Sequence, residues 1–180
     1  MKDSLETGEV SYTNEHYPYT NLNSPERHAL RGVLGTAFHI GSSAHRLWSD
    51  FHDTTAFVRR IDDGEPANPD NLIGGAIVMS HQELQLDYLA YIVVRPEYRY
   101  HRRFFGRDDQ PHHGTELLHY VYGIMRDKVS EARLQKYLMI EPAGNDALRF
   151  YQRAFPTNEY PLKFDEDSRI ISVAYDGFML

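Results

Sequence analysis

The segment His112-His113-Gly114-Thr115-Glu116 has the residue types to hold an anion. It follows the apolar run Leu89 to Val94 and opens a stretch with helical spacing. A strand that delivers a glycine to a helix N-terminus presents unpaired backbone N–H groups and the positive end of the helix dipole. That arrangement holds phosphate. Gly114 suits it, because a Cβ would keep a phosphate off the backbone. His112 and His113 could donate to the same anion. The alternative is a helix that simply begins after a glycine, flanked by surface histidines. Further along stands a second constellation, Asn145-Asp146-Ala147-Leu148-Arg149-Phe150-Tyr151, directly after the apolar stretch Tyr137-Leu138-Met139-Ile140.

Taken in this order, Val94-Arg95-Pro96-Glu97-Tyr98-Arg99, the Gly114 loop and the Asn145–Tyr151 segment resemble the motifs of the GNAT superfamily of N-acetyltransferases. The resemblance runs from Leu72 to Phe155. It implies acetyl-CoA as co-substrate, with the pyrophosphate on backbone N–H groups of Gln110 to Thr115. It also implies that the pantetheine amides pair with an open strand edge at Ile92, Val93 and Val94. Pro96, which lacks an N–H, suits the end of that pairing. Tyr151 matches the family's general acid near the thioester sulfur, and a phenol can donate a proton while uncharged at neutral pH. Asn145 is implied as a ligand of the pantetheine arm; its alternative is a helix N-cap.

The family's basic glutamate has no match in Asp87-Tyr88-Leu89-Ala90-Tyr91, so Asp87, Tyr91 or a bound water are the candidates for general base. His112 stands where the family's first loop glycine is expected and Asp109 where its Arg or Gln is expected. Tyr100 to Asp109 reads as an insertion, from which Arg107, or Arg102 and Arg103, could reach the phosphates; a solvated charged loop is the equal alternative. Asn145 and Tyr151 stand one residue closer than the family spacing. The function implied is direct transfer of acetyl to a primary amine, on a small molecule or a peptide. Transfer of a longer acyl chain, or a non-catalytic acyl-CoA-binding module, are the alternatives. His39, His45 and Trp48 fall where the family often places its acceptor site.

These residues need a frame. Residues 1–24 read as a first strand, near Glu9 to Thr13, or as a partly ordered arm. Ser24-Pro25-Glu26-Arg27 reads as an N-cap with proline at the first helical position, starting a helix to about Phe38. Gly41-Ser42-Ser43 caps a second short helix carrying Leu47, Trp48 and Phe51. Thr54 to Ile61 alternates as a strand. Leu72 to Met79 and Leu84 to Val94 form a hairpin, and the helix after Gly114 carries Leu117, Leu118, Val121, Ile124 and Met125 on one stripe. Gln135 to Glu141, Asn145 to Ala154 and Arg169 to Tyr175 read as strand, helix and strand. The sum is one α/β domain over 1–180: a mixed, mostly antiparallel central sheet with helices on both faces, as in the GNAT order.

Composition narrows the chemistry. With no cysteine, an acyl-enzyme on sulfur is impossible, and transfer should be direct or use another nucleophile. A formal net charge of −7 disfavours nucleic acid and anionic membranes and suits a cationic or amine-bearing substrate. The 10 histidines lack H-x-x-x-H spacing, which argues against a metal site. No apolar h-region follows Met1, so a cytoplasmic protein is expected; a homodimer is a common family outcome.

Overall fold

A computed structural model of the chain describes residues 10–38, 53–99, 112–129 and 136–175. In chain order it contains β1 (Tyr12–Pro18), α1 (Ser24–Phe38), β2 (Thr54–Ile61), β3 (Leu72–His81), β4 (Leu86–Val94), α2 (His113–Val129), β5 (Tyr137–Ile140), α3 (Asn145–Ala154), β6 (Leu162–Asp165) and β7 (Ile170–Ala174). The strands form one seven-stranded sheet in the order β1-β2-β3-β4-β5-β7-β6. Every neighbouring pair is antiparallel except β4 and β5, which run parallel. This is the expected mixed, mostly antiparallel sheet with helices on both faces. No helix among the described residues is long and apolar enough to cross a membrane.

The helices divide the core. On one face Leu30 and Leu34 of α1 pack with Ala56, Ile77 and Val93. On the other, Leu117, Leu118, Val121 and Met125 of α2 and Tyr151 and Ala154 of α3 pack with Phe57, Ala76, Val78, Leu89, Leu138 and Ile140. Because both faces are covered, β2 is buried along nearly its whole length rather than alternating between core and solvent. Close approach is built into β3. A Cβ at Gly75 would collide with Leu30, and one at Gly74 would collide with the Val93 carbonyl oxygen of the neighbouring strand.

Several boundaries differ from the sequence reading, each for a local reason. The side chain that caps α1 is Asn23: its Oδ1 accepts the Glu26 N–H at 2.9 Å, and Glu26 Oε2 accepts the Asn23 N–H at 3.1 Å. This reciprocal capping box puts Ser24 inside the helix rather than at the cap. β1 lies later than Glu9 to Thr13, because its register with β2 runs from Tyr12↔Ile61 to Pro18↔Thr55. β4 begins at Leu86, since Gln85 takes a positive φ of 54° in the preceding turn. β6 was not foreseen. It pairs with β7 across a turn in which Asp165 Oδ1 accepts the N–H groups of Asp167 and Ser168, and Arg169 takes φ 58° instead of joining the strand. The short helix carrying Trp48 lies outside the described residues, as do His39, His45 and the insertion with Arg102, Arg103 and Arg107.

Candidate active site

β4 and β5 pair only from Leu86↔Tyr137 to Leu89↔Ile140. Beyond Leu89, β4 continues to Val94 with no strand beside it on the β5 side among the described residues. Ile92, Val93 and Val94 therefore lie on an open strand edge, as the family resemblance implies. A register irregularity helps to open it. Ile77 pairs with Tyr91 while Val78 pairs with Leu89, leaving Ala90 as an extra residue. Such a bulge bends and twists its strand, and here it also changes the side-chain phase. Leu89 points into the α2 side of the core, whereas Tyr91 and Val93 pack on the α1 side. The stretch ends where Arg99 Nε donates to the Val94 carbonyl at 2.7 Å and Pro96 starts a single 3-10 turn.

α2 starts beside the end of this strand. Its first intrahelical bond runs from the Glu116 N–H to the His112 carbonyl at 3.0 Å, so the N–H groups of His113, Gly114 and Thr115 have no intrahelical acceptor. An added Cβ at Gly114 would lie 3.4 Å from the Phe150 ring and 3.7 Å from Val94 Cγ2. The start of α2, the end of β4 and the middle of α3 thus converge on one glycine. His112 is exposed at the cap, and Thr115 is half-buried.

His113 is turned inward. Its side chain is buried, and its Nδ1 accepts from Arg59 Nε at 2.9 Å, which places its own proton on Nε2. The Tyr12 and Tyr98 rings meet it edge-on. Burial first, and then the charge of Arg59, hold its pKa below the ordinary imidazole value. Burial and Lys128 do the same for His16, whose Nδ1 lies 2.9 Å from the Tyr120 hydroxyl. Both groups bind protons more readily when unfolded. Their contribution to stability is therefore present above the unfolded imidazole pKa of about 6.5 and is lost as pH falls through the lower folded values. Melting curves between pH 7.5 and 5 should show the melting temperature falling with pH, less steeply in His113→Gln.

On α3, Tyr151 is buried and lies against Phe150, with ring centroids 5.1 Å apart. Its hydroxyl has no hydrogen-bond partner among the described residues. Nor is it one of the sealed, unpartnered polar atoms, which are Arg27 Nε and Thr54 Oγ1. Burial, reinforced by Tyr88, pushes its pKa up, so the phenol keeps its proton. Asn145 is exposed and is the first residue of α3; Gly144 occupies the N-cap, and the Asn145 Oδ1 accepts from Arg169 at 2.8 Å instead of capping the helix.

Asp87 stands apart from the open edge. It lies opposite Leu138 in the paired part of β4, wholly buried, accepting Ser80 Oγ at 2.5 Å and the Tyr175 hydroxyl at 2.8 Å. A carboxylate the sequence reading passed over is better placed: Glu141 is exposed at the first position beyond β5, where the strands part, and accepts from the Tyr88 hydroxyl at 3.3 Å. The available signal was its position immediately after the apolar strand. Among the described residues, no group of three or more His, Asp or Glu side chains could hold a metal ion.

No protein-family model matches the chain, and no curated protein matches it significantly. Solved structures do. Tetrahymena GCN5 superposes with a TM-score of 0.56 at 12% identity, covering 95% of this chain and 98% of that one. The ribosomal-protein-S18-alanine N-acetyltransferase of Escherichia coli gives 0.55 at 13% identity, covering 93% and 100%. AtaTR, solved bound with acetyl-CoA, gives 0.54 at 14% identity, covering 91% and 93%. Parted parallel strands, a glycine-bearing helix start and near-complete coverage agree: the chain has the fold of the GNAT acetyltransferases.

Proposed function

We propose that the protein is an acetyl-CoA-dependent N-acetyltransferase acting on a primary amine by direct attack on the thioester. The observation that carries this reading is the convergence at the β4–β5 opening. An unpaired stretch of strand edge, helix N–H groups without intrahelical acceptors and a protonated phenol belong to β4, α2 and α3, which converge on Gly114. Acetyl-CoA supplies the activated acyl carbon. The N–H groups at Gly114 and Thr115 receive its diphosphate, and the peptide groups of Ile92 to Val94 hold the pantetheine amides as an added strand would.

The Ile92 N–H, which faces away from β3 while Val93 pairs with Gly75, is assigned to the thioester oxygen, where charge develops as the amine nitrogen bonds to the acyl carbon. As the C–S bond breaks, Tyr151 gives its proton to the departing sulfur. The proton released by the amine passes to Glu141, directly or through water. Glu141 replaces Asp87 in this role because Asp87 has no exposed surface and its carboxylate is already engaged by two hydroxyls. The formal charge of −7 favours a cationic acceptor.

An amine panel assayed by release of free thiol from acetyl-CoA tests the reading. Turnover with at least one primary amine is expected, together with a fall of about 30-fold or more in kcat for Glu141→Gln. Thiol release that no amine accelerates would sink the transferase reading.

A further inference from the structure

Arg59 carries a buried cation two strands away from the open edge of β4. It is 3% exposed, and a guanidinium so placed is tolerated only when its charge and hydrogen bonds are met. Its Nε donates to His113 Nδ1 at 2.9 Å, its Nη1 to Asn14 Oδ1 at 3.0 Å, and its Nη2 to Glu116 Oε2, while the guanidinium lies 5.4 Å from the centre of the Tyr12 ring. Two of these partners sit in the first turn of α2, on either side of Gly114 and Thr115. One strand residue therefore grips the helix start at both ends of the segment whose N–H groups have no intrahelical acceptor.

The grip has an electrostatic consequence. A glutamate in the first turn stabilises a helix by opposing its dipole, but the same carboxylate repels any anion approaching that end. The Glu116 side chain is 45% exposed and free to swing toward solvent unless held. Paired with Arg59, its charge is neutralised on the sheet side. His113, accepting from Arg59, is kept neutral with its ring directed into the sheet.

We propose that Arg59 is a positioning residue for phosphate recognition: it anchors the first turn of α2 and cancels the charge of Glu116, so that the helix start accepts the diphosphate of a coenzyme A thioester. This rests on the acetyltransferase reading above.

Calorimetry with coenzyme A and with phosphate-free pantetheine tests it, on the wild type, Arg59→Gln, Glu116→Gln and the double variant. Arg59→Gln should lose about tenfold in coenzyme A affinity, and the double variant should recover the part of that loss owed to the freed carboxylate, while the part owed to the lost anchor remains. Pantetheine affinity should stay level throughout. Equal coenzyme A affinity in the wild type and Arg59→Gln, or no recovery in the double variant, overturns the proposal alone. A wild type that fails to bind coenzyme A overturns the acetyltransferase reading and this proposal with it. Should Arg59→Gln not fold, Glu116→Gln decides: a rise in coenzyme A affinity with a steeper salt dependence supports the proposal, and an unchanged or weaker affinity overturns it.

Discussion

Tyr151→Phe is expected to lower kcat by about 100-fold or more while leaving KM for acetyl-CoA within about twofold. The substitution removes one oxygen and keeps the ring that packs in the α2 and α3 side of the core, so folding and cofactor placement should survive. What disappears is the only step assigned to that oxygen, proton donation to the leaving sulfur. Burial raises the pKa of the phenol, so in the wild type the donor form should persist beyond the ordinary phenol value of about 10. Steady-state kinetics with a saturating amine would check both parameters. A rise in KM with kcat preserved would instead make Tyr151 a binding residue.

Asp87→Ala should act on stability rather than chemistry, with a loss of about 3 kcal/mol in urea denaturation. The carboxylate accepts two hydroxyls inside the sheet, Ser80 from β3 and Tyr175 from the chain just after β7. Truncation would strand both donors and leave a cavity where β3, β4 and the chain after β7 meet. At this chain length the loss corresponds to a melting temperature lower by about 10 °C. Activity per folded molecule, measured well below the new midpoint, should remain within about threefold of wild type. A collapse of kcat without loss of stability would return Asp87 to the role of base and remove Glu141 from it.

Legibility of the site followed the range of the interactions involved. α1, α2 and α3 were readable because a helix advertises itself through local spacing: the Leu117, Leu118, Val121 and Met125 stripe is the buried face of α2. The Gly114 helix start was readable because an apolar strand, a glycine and a helical stripe follow one another there, whereas the open β4 edge came from the family resemblance, with Pro96 suiting its end. The capping residue of α1 was misplaced by one position, since two side chains decide it together and the reciprocal Asn23–Glu26 pair outranks the Ser-Pro signal. Asn145 looked like a cap for the same local reason, and Arg169, distant in sequence, claims its side chain instead.

What the amino-acid order determined by itself was the succession of elements, the absence of a thiol nucleophile and the start of a helix at the Gly114 segment. These depend on residue identity and on contacts within a few positions. Tertiary structure alone decided that His113 faces inward to Arg59, that Asp87 is sealed between Ser80 and Tyr175, and that Glu141 stands where β4 and β5 part. Each of these outcomes joins partners 53 or more positions apart, except the Ser80 contact within the β3–β4 hairpin. A side chain's charge state and exposure are set by what packs against it, and at such separations that information exists only once the sheet has formed.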